Sequence, residues 1–424
     1  MAEKDTDILE RYTEPLSHRI QKEYAIGDEF YHGEVKKGLR NSDGTGVLVG
    51  VTKVGSVQGY LLQDGQRVPT PGRLYYRGIE LHDIVEAHRK AGTFGFEEVA
   101  YLLLMGYLPT QDELARFNGI MSQARKLPDG FTEGMIMRHP SSNMMNELAR
   151  SVLSLYSYDP DPDSTSIENL LLQSVKLIGC FPSIVANSYA VKRHYFHGDS
   201  LHIHFPVPEL STAENFLRMI RPDTNYTEEE AHLLDMMLMV HAEHGGANAK
   251  VMEMFGYIKE NVDPHDDGSI RDYLVKLLNK EAGDGSGKLY GLGHAVYTIS
   301  DPRAELLKKY AQHMAEIKGY AEEFALLQKV EELGIPLLQE RRRDATPMCA
   351  NVDMYSGLVY TMLGIPQDVF TPLFASARIA GWCANRMEEL LTCSRIMRPA
   401  YRAVSIKGHY IPMEQRKSHL PENA

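Results

Sequence analysis

The chain has 424 residues, of which 43% are apolar and 24% charged; at roughly 150 residues per domain the length suggests about three domains. That balance supports a sizeable core and excludes global disorder. With 45 basic and 57 acidic residues the net charge is −12. Nucleic acid is excluded as a general partner, because phosphate binding needs a basic face, whereas an anionic small molecule needs only arginines gathered in one cleft.

In chain order, the opening MAEKDTDILERYTEPLSHRI has no apolar core of the kind a secretory signal carries. Gly46 to Val54 alternates, and Gln58 to Leu62 can pair with it as a small N-terminal β-hairpin covering the core. Helical spacing follows over Glu97–Met105 and Ile167–Leu177. His194, His197, His202 and His204 lie in a Tyr-, Gly- and Ser-containing stretch that reads as a polar loop rather than a metal site. Thr227-x-x-Glu230 is a capping-box pattern, and Leu233, Leu234 and Met236 to Val240 are apolar nearly all round, as in a central helix. This most apolar run is too short to cross a bilayer, and Gly245-Gly246 ends it.

A change in composition near Val251 marks entry into a second, smaller domain. There a helix over Ile270–Lys280 lies between the loop-like DPHDDG and GDGSG stretches, and helices are expected at Ala304–Met314 and Tyr320–Leu333. The glycines before Lys288 lack the Ser or Thr of a phosphate cradle and read as a flexible loop. Arg341, Arg342 and Arg343 read as a solvated face, and Trp382 as core packing. Cys180, Cys349, Cys383 and Cys393 are too sparse and irregular for a disulfide framework, so a soluble cytoplasmic protein is expected.

Three segments combine titratable side chains with glycines: His241-Ala-Glu-His244-Gly-Gly-Ala-Asn248, Gly291-Leu-Gly-His294-Ala-Val-Tyr297 followed by Asp301-Pro302-Arg303, and Asn351-Val-Asp353-Met-Tyr355-Ser-Gly357. Only tertiary folding can join them. Two histidines and an aspartate suit a carbon-acid reaction, in which a carboxylate removes a proton and imidazoles hydrogen-bond the developing oxyanions. His241-x-x-His244 has no evident third ligand, so no metal is expected.

These segments, with FASARIAGWCANRMEEL, IMRPAYRAV and the N-terminal YYRGIELHDIVE and FGFEEVAYLLLMGYLPT, resemble citrate synthases, most closely the prokaryotic branch. The resemblance implies a mainly α, two-domain helical fold, with 1–250 and 361–424 forming a large domain and 251–360 a small one. It implies condensation of acetyl-CoA with oxaloacetate, and hydrolysis to citrate and CoA, in a homodimer or higher homo-oligomer, with acetyl-CoA as substrate and no cofactor. Asp353 matches the family's general base, His244 the donor to the thioester carbonyl and His294 the residue that polarises the ketone. Arg303, Arg378 and Arg398 match the carboxylate clamps, the last reaching in from the partner subunit. If CoA binds, one of Arg341–Arg343 is a candidate for its phosphates.

The sequence departs from the family at one point. Relatives carry a HAEH-type motif and, several helical turns later, a separate HGGAN motif. Here both share His244, as though the segment between them were excised at His-Gly-Gly. Asn385 also stands where relatives usually have histidine. The implied activity therefore has two alternatives: 2-methylcitrate synthesis from propionyl-CoA on the same constellation, or a fold-preserving, catalytically impaired relative.

Overall fold

The structure, a computed structural model, describes residues 47, 50–64, 66–244, 248–342 and 347–392. Thr52–Ser394 form one compact unit, which is mainly helical with one three-stranded antiparallel sheet among the described residues.

In that sheet β1 (Gly55–Gln63) pairs with β2 (Gln66–Tyr76), and β2 with the short β3 (Ile79–Glu80). The hairpin expected from Gly46–Val54 is displaced along the chain: residues 50–54 form no strand, and Gln58–Leu62 pairs downstream instead. The turn chemistry explains the shift. Asp64 adopts a positive φ of 51°, and Asp-Gly is a strong signal for a two-residue hairpin turn.

The sheet also does more than cover the core. The Gly72 N–H donates to Ser300 Oγ at 3.2 Å, and a Cβ on Gly72 would fall 2.1 Å from the Ser300 carbonyl oxygen. Only glycine allows β2 to lie this close to the loop carrying His294.

Helices α1 (Leu81–Ala91), α2 (Phe96–Met105), α3 (Gln111–Ala124) and α4 (Met144–Leu155) lead into α5 (Ile167–His197). The expectation for this last helix reached only Leu177. Beyond it, Ile178 to Ser188 are buried without a break, so no amphipathic period marks the continuation. Helix α5, rather than Leu233–Val240, is long and apolar enough to cross a membrane, with a window of mean hydropathy 1.4, but 67% of that window is buried inside the protein. Its neighbours include α3, α4 and α6 (Thr212–Ile220), which makes it a core helix.

Helix α7 (Glu228–His241) is the central helix that the sequence indicates, buried from Leu233 to His241. Its capping box is present: Thr227 Oγ1 accepts the Glu230 N–H, and the Glu230 carboxylate accepts the Thr227 N–H at 2.8 Å. The helix stops at His241, ahead of the two glycines.

The rest of the unit comprises α8 (Asn248–Asn261), α9 (Asp267–Leu278), α10 (Pro302–Lys318), α11 (Ala321–Arg342), α12 (Asp353–Met362) and α13 (Gln367–Thr392). Arg341 is not simply solvated, since its Nη1 donates to the Leu278 carbonyl at 2.6 Å and holds the end of α9. Arg343 and Cys393 lie outside the described residues. Trp382 is 49% exposed on α13, which corrects its expected place in the core.

Glu230 also ties elements together, accepting from Arg221 at 2.9 and 3.1 Å and from Lys318 of α10 at 2.6 Å. Burial raises its carboxyl, but these donors outweigh burial and hold it down to about 2. Such a group stabilises the fold fully above its ordinary value of 4.5, and the contribution is lost as pH falls towards about 2. Glu230→Gln is expected to cost about 2 kcal/mol at neutral pH, because two partly solvated cations lose their partner. Urea unfolding across acidic pH checks this; a difference from the parent that persists at pH 2 contradicts it.

Candidate active site

The loop carrying His294 and the segment before Asp353 are laced together by backbone. Leu292 bridges Ala350, the Gly293 N–H donates to the Cys349 carbonyl at 2.8 Å, and the Asn351 N–H donates to the Gly291 carbonyl at 2.9 Å. Gly291 and Gly293 have φ of 84° and 89°, a left-handed path that other residues rarely take. The Asn351 side chain completes the lacing, donating to the Gly293 carbonyl at 2.9 Å and accepting the Asp353 N–H at 3.0 Å. Asp353 is the first residue of α12 and is 8% exposed.

His294 Nδ1 accepts the N–H groups of Val296 and Tyr297 at 3.1 and 3.0 Å. That nitrogen therefore carries no proton, and the ring's N–H is on Nε2. His294 Nε2 lies 3.2 Å from His244 Nε2, so the network assigns His294 as donor and His244 as acceptor, with the His244 proton on Nδ1. Burial first, then the charge of Arg303 and the neighbouring His294, push His244 down to about 3. It is a neutral imidazole at physiological pH.

The turn bearing His244 is held by the two described arginines of the expected clamp. Arg378 Nε donates to the His241 carbonyl at 2.8 Å, the Gly381 N–H donates to the Ala242 carbonyl at 3.0 Å, and Arg303 Nη1 donates to the His244 carbonyl at 2.8 Å. Arg303 is fully buried and grips Asp301 with two N–H groups, at 3.0 and 2.6 Å. Burial would raise the Asp301 carboxyl, but Arg303 reverses this and holds it below the ordinary carboxylate range. Arg378 Nη2 is buried with no hydrogen-bond partner among the described residues, an orphan donor that suits a ligand carboxylate.

His244, His294, Arg303 and Arg378 thus come together, with Asp353 joined through the lacing. Arg398 lies outside the described residues. His241 is buried in the core with its Nδ1 bonding the Met237 carbonyl, and the described residues contain no group of three His, Cys, Asp or Glu able to hold a metal ion. His202 and His204 stack at 6.4 Å without forming such a group.

Asp301 had no role in the sequence reading. It caps α10 through the Arg303 N–H, orients the Arg303 fork and accepts the Val352 N–H at 3.2 Å, one residue before Asp353. The signal was present as an Asp directly before a proline at the first helical position.

The family model described as citrate synthase, C-terminal domain, matches residues 43–246 and 243–400. The chain belongs to the citrate synthase family. The citrate synthase of Deinococcus radiodurans is 32% identical, aligned over 80% of this chain and 93% of its own, and that of Acidithiobacillus ferridurans is 32% identical over 81% and 93%. The crystal structure of citrate synthase from Thermotoga maritima superposes with a TM-score of 0.68 at 26% identity, covering 90% of this chain and 99% of its own. A 2-methylcitrate synthase from Shewanella oneidensis is a more distant relative at 27% identity. Residues 243–246 fall in both family matches, so His244-Gly245-Gly246 answers to two places in the citrate synthase pattern. Their overlap coincides with the short connection between α7 and α8.

The imidazole assignment is open to direct measurement. The His244 ring nitrogens are expected to keep the nitrogen shifts of a neutral imidazole from about pH 5 to about pH 8, since its titration lies near 3. A midpoint inside that window contradicts the neutral pair.

Proposed function

We propose that the chain condenses acetyl-CoA with oxaloacetate and hydrolyses the product to citrate and CoA. The observation that carries this reading is a neutral His244–His294 pair held beside two buried arginines, with an aspartate tied to the same lacing.

In this mechanism the Asp353 carboxylate takes a methyl proton from acetyl-CoA. His244 Nδ1–H donates to the thioester oxygen, so the enol forms without a full negative charge in a dry site. The oxaloacetate ketone replaces His244 as acceptor of the His294 N–H, which makes its carbon electrophilic. The enol carbon attacks that carbon, the former ketone oxygen gains a proton, and water then cleaves the thioester to release citrate and the CoA thiol. Arg303 and Arg378 bind substrate carboxylates, for which the planar guanidinium fork is suited, and Arg398 keeps the role the resemblance gives it. The catalyst would work as a cytoplasmic homodimer without cofactor or metal, acetyl-CoA being a substrate. Residues 251–360 would close as a small domain on a large one made of 1–250 and 361–424.

The overlap at 243–246 favours a second reading. One histidine serves where relatives have two motifs, and catalytic groups acting as a unit are strongly non-additive, so the chain would bind oxaloacetate yet turn over slowly. Oxaloacetate-dependent thiol release from acetyl-CoA decides between them, and its absence in folded protein selects the second. Propionyl-CoA in the same assay tests the 2-methylcitrate alternative, which a larger kcat/KM would support. Asp353→Ala is expected to lower turnover by at least about a thousandfold while leaving the fold intact. A variant that retains the parent rate rules out Asp353 as the base.

A further inference from the structure

Glu243, next to His244, takes no part in the mechanism above, yet its carboxyl group is placed where charge matters most. A Cβ on Gly55 of β1 would fall 2.6 Å from Glu243 Cδ, so the strand start closes on the carboxyl from one side. On α13, a Cβ on Gly381 would fall 3.0 Å from Glu243 Cα, and Asn385 Nδ2 donates to the Gly381 carbonyl at 2.8 Å. Its Oε2 is buried and has no hydrogen-bond partner among the described residues. The charges acting on it are Arg378 first and Arg303 second, the two described arginines of the proposed clamp.

We infer that Glu243 is a protonation gate on this clamp, its carboxyl neutral when a dicarboxylate such as oxaloacetate binds and its carboxylate competing with that ligand for Arg378 and Arg303. The inference rests on the oxaloacetate reading and adds a regulatory group to the same site. Asp301 already balances Arg303, so the field left for a dianion centres on Arg378, whose Nη2 is buried without a partner among the described residues, and it is offered in full only if the Glu243 carboxyl is uncharged. Burial, outweighing the attraction of the arginines, raises the Glu243 carboxyl above the ordinary range, so the neutral form is accessible as pH falls. Binding a dianion favours that neutral form further, and proton uptake should accompany binding. Affinity is therefore highest below the Glu243 titration and falls as pH rises through it.

The other groups facing Glu243 do not titrate in this window. From α7 and the following turn, His241 and His244 are held down to about 3 by burial. From β2 and the site loop, Tyr76 and Tyr297 are pushed far up by burial. Arg303 with its partner Asp301 on α10, and Arg378 on α13, remain charged. Asn385 cannot titrate, where a histidine would have added a second ionisation. His294, which bonds to His244, is present in both the parent and Glu243→Gln, so the difference between the two profiles reports the Glu243 carboxyl.

Oxaloacetate affinity of the intact protein, measured by calorimetry from about pH 5 to about pH 8, tests this independently of turnover. The parent is expected to lose about tenfold in affinity across that range, whereas the near-isosteric Glu243→Gln is expected to give a flatter profile and tighter binding than the parent at the alkaline end. An equal slope in both proteins overturns the gate. Repeating the parent titration in buffers of different ionisation heat should reveal proton uptake, so the inference can be tested even if the variant does not fold; no uptake at any pH overturns it. Failure of the parent to bind oxaloacetate at every pH overturns the substrate reading as well, an outcome distinct from pH-independent binding.

Discussion

A fully buried guanidinium organises the centre of this molecule. Arg303 has no water to solvate its charge, and an uncompensated cation there would cost several kcal/mol. The compensation comes from Asp301 through two N–H groups and from the His244 carbonyl through a third. Each partner has further obligations, for Asp301 caps α10 and receives the Val352 N–H, while the His244 carbonyl belongs to the turn leaving α7. One charge therefore fixes the relative positions of three chain segments, and the histidines and the aspartate inherit their geometry from it.

The turn from His241 to His244 shows the same economy. Its carbonyls at His241, Ala242 and His244 are taken by Arg378, Gly381 and Arg303. The side chains proposed to hold substrate carboxylates thus also hold the turn that leaves α7.

Sequence reasoning reached the helices wherever apolar spacing was periodic and a cap was written locally, as at Thr227 and Glu230. It failed where burial was uniform: α5 runs to His197, and its middle shows no polar face to count by. Valine alternation over Gly46–Val54 puts the hairpin too early, whereas the Asp64-Gly65 turn signal marks where the chain reverses. That His244, His294, Arg303 and Arg378 lie near one another was legible through motifs, since glycines and histidines at fixed spacing are distinctive. Tyr76 and Glu243 carry no local signal, because they meet Met239 and Gly55 across more than a hundred residues, whereas Asp301 is written locally as the residue before a proline at the first helical position. Trp382 was misplaced for a related reason: an aromatic residue in a helix adjoining the core can still face outward.

The distance along the chain between partners has a consequence for synthesis. The Gly72–Ser300 contact spans 228 residues, Tyr76 reaches Met239 across 163, and Arg378 reaches His241 across 137. A ribosome must release α13 before the turn bearing His244 can acquire all its donors. Until then the His241 and Ala242 carbonyls lack the donors that α13 supplies. Native contacts of such sequence separation form slowly, so the cluster around His244 is among the last parts of the nascent protein to assemble, and a chain truncated before Arg378 would lack it however well its earlier helices had folded.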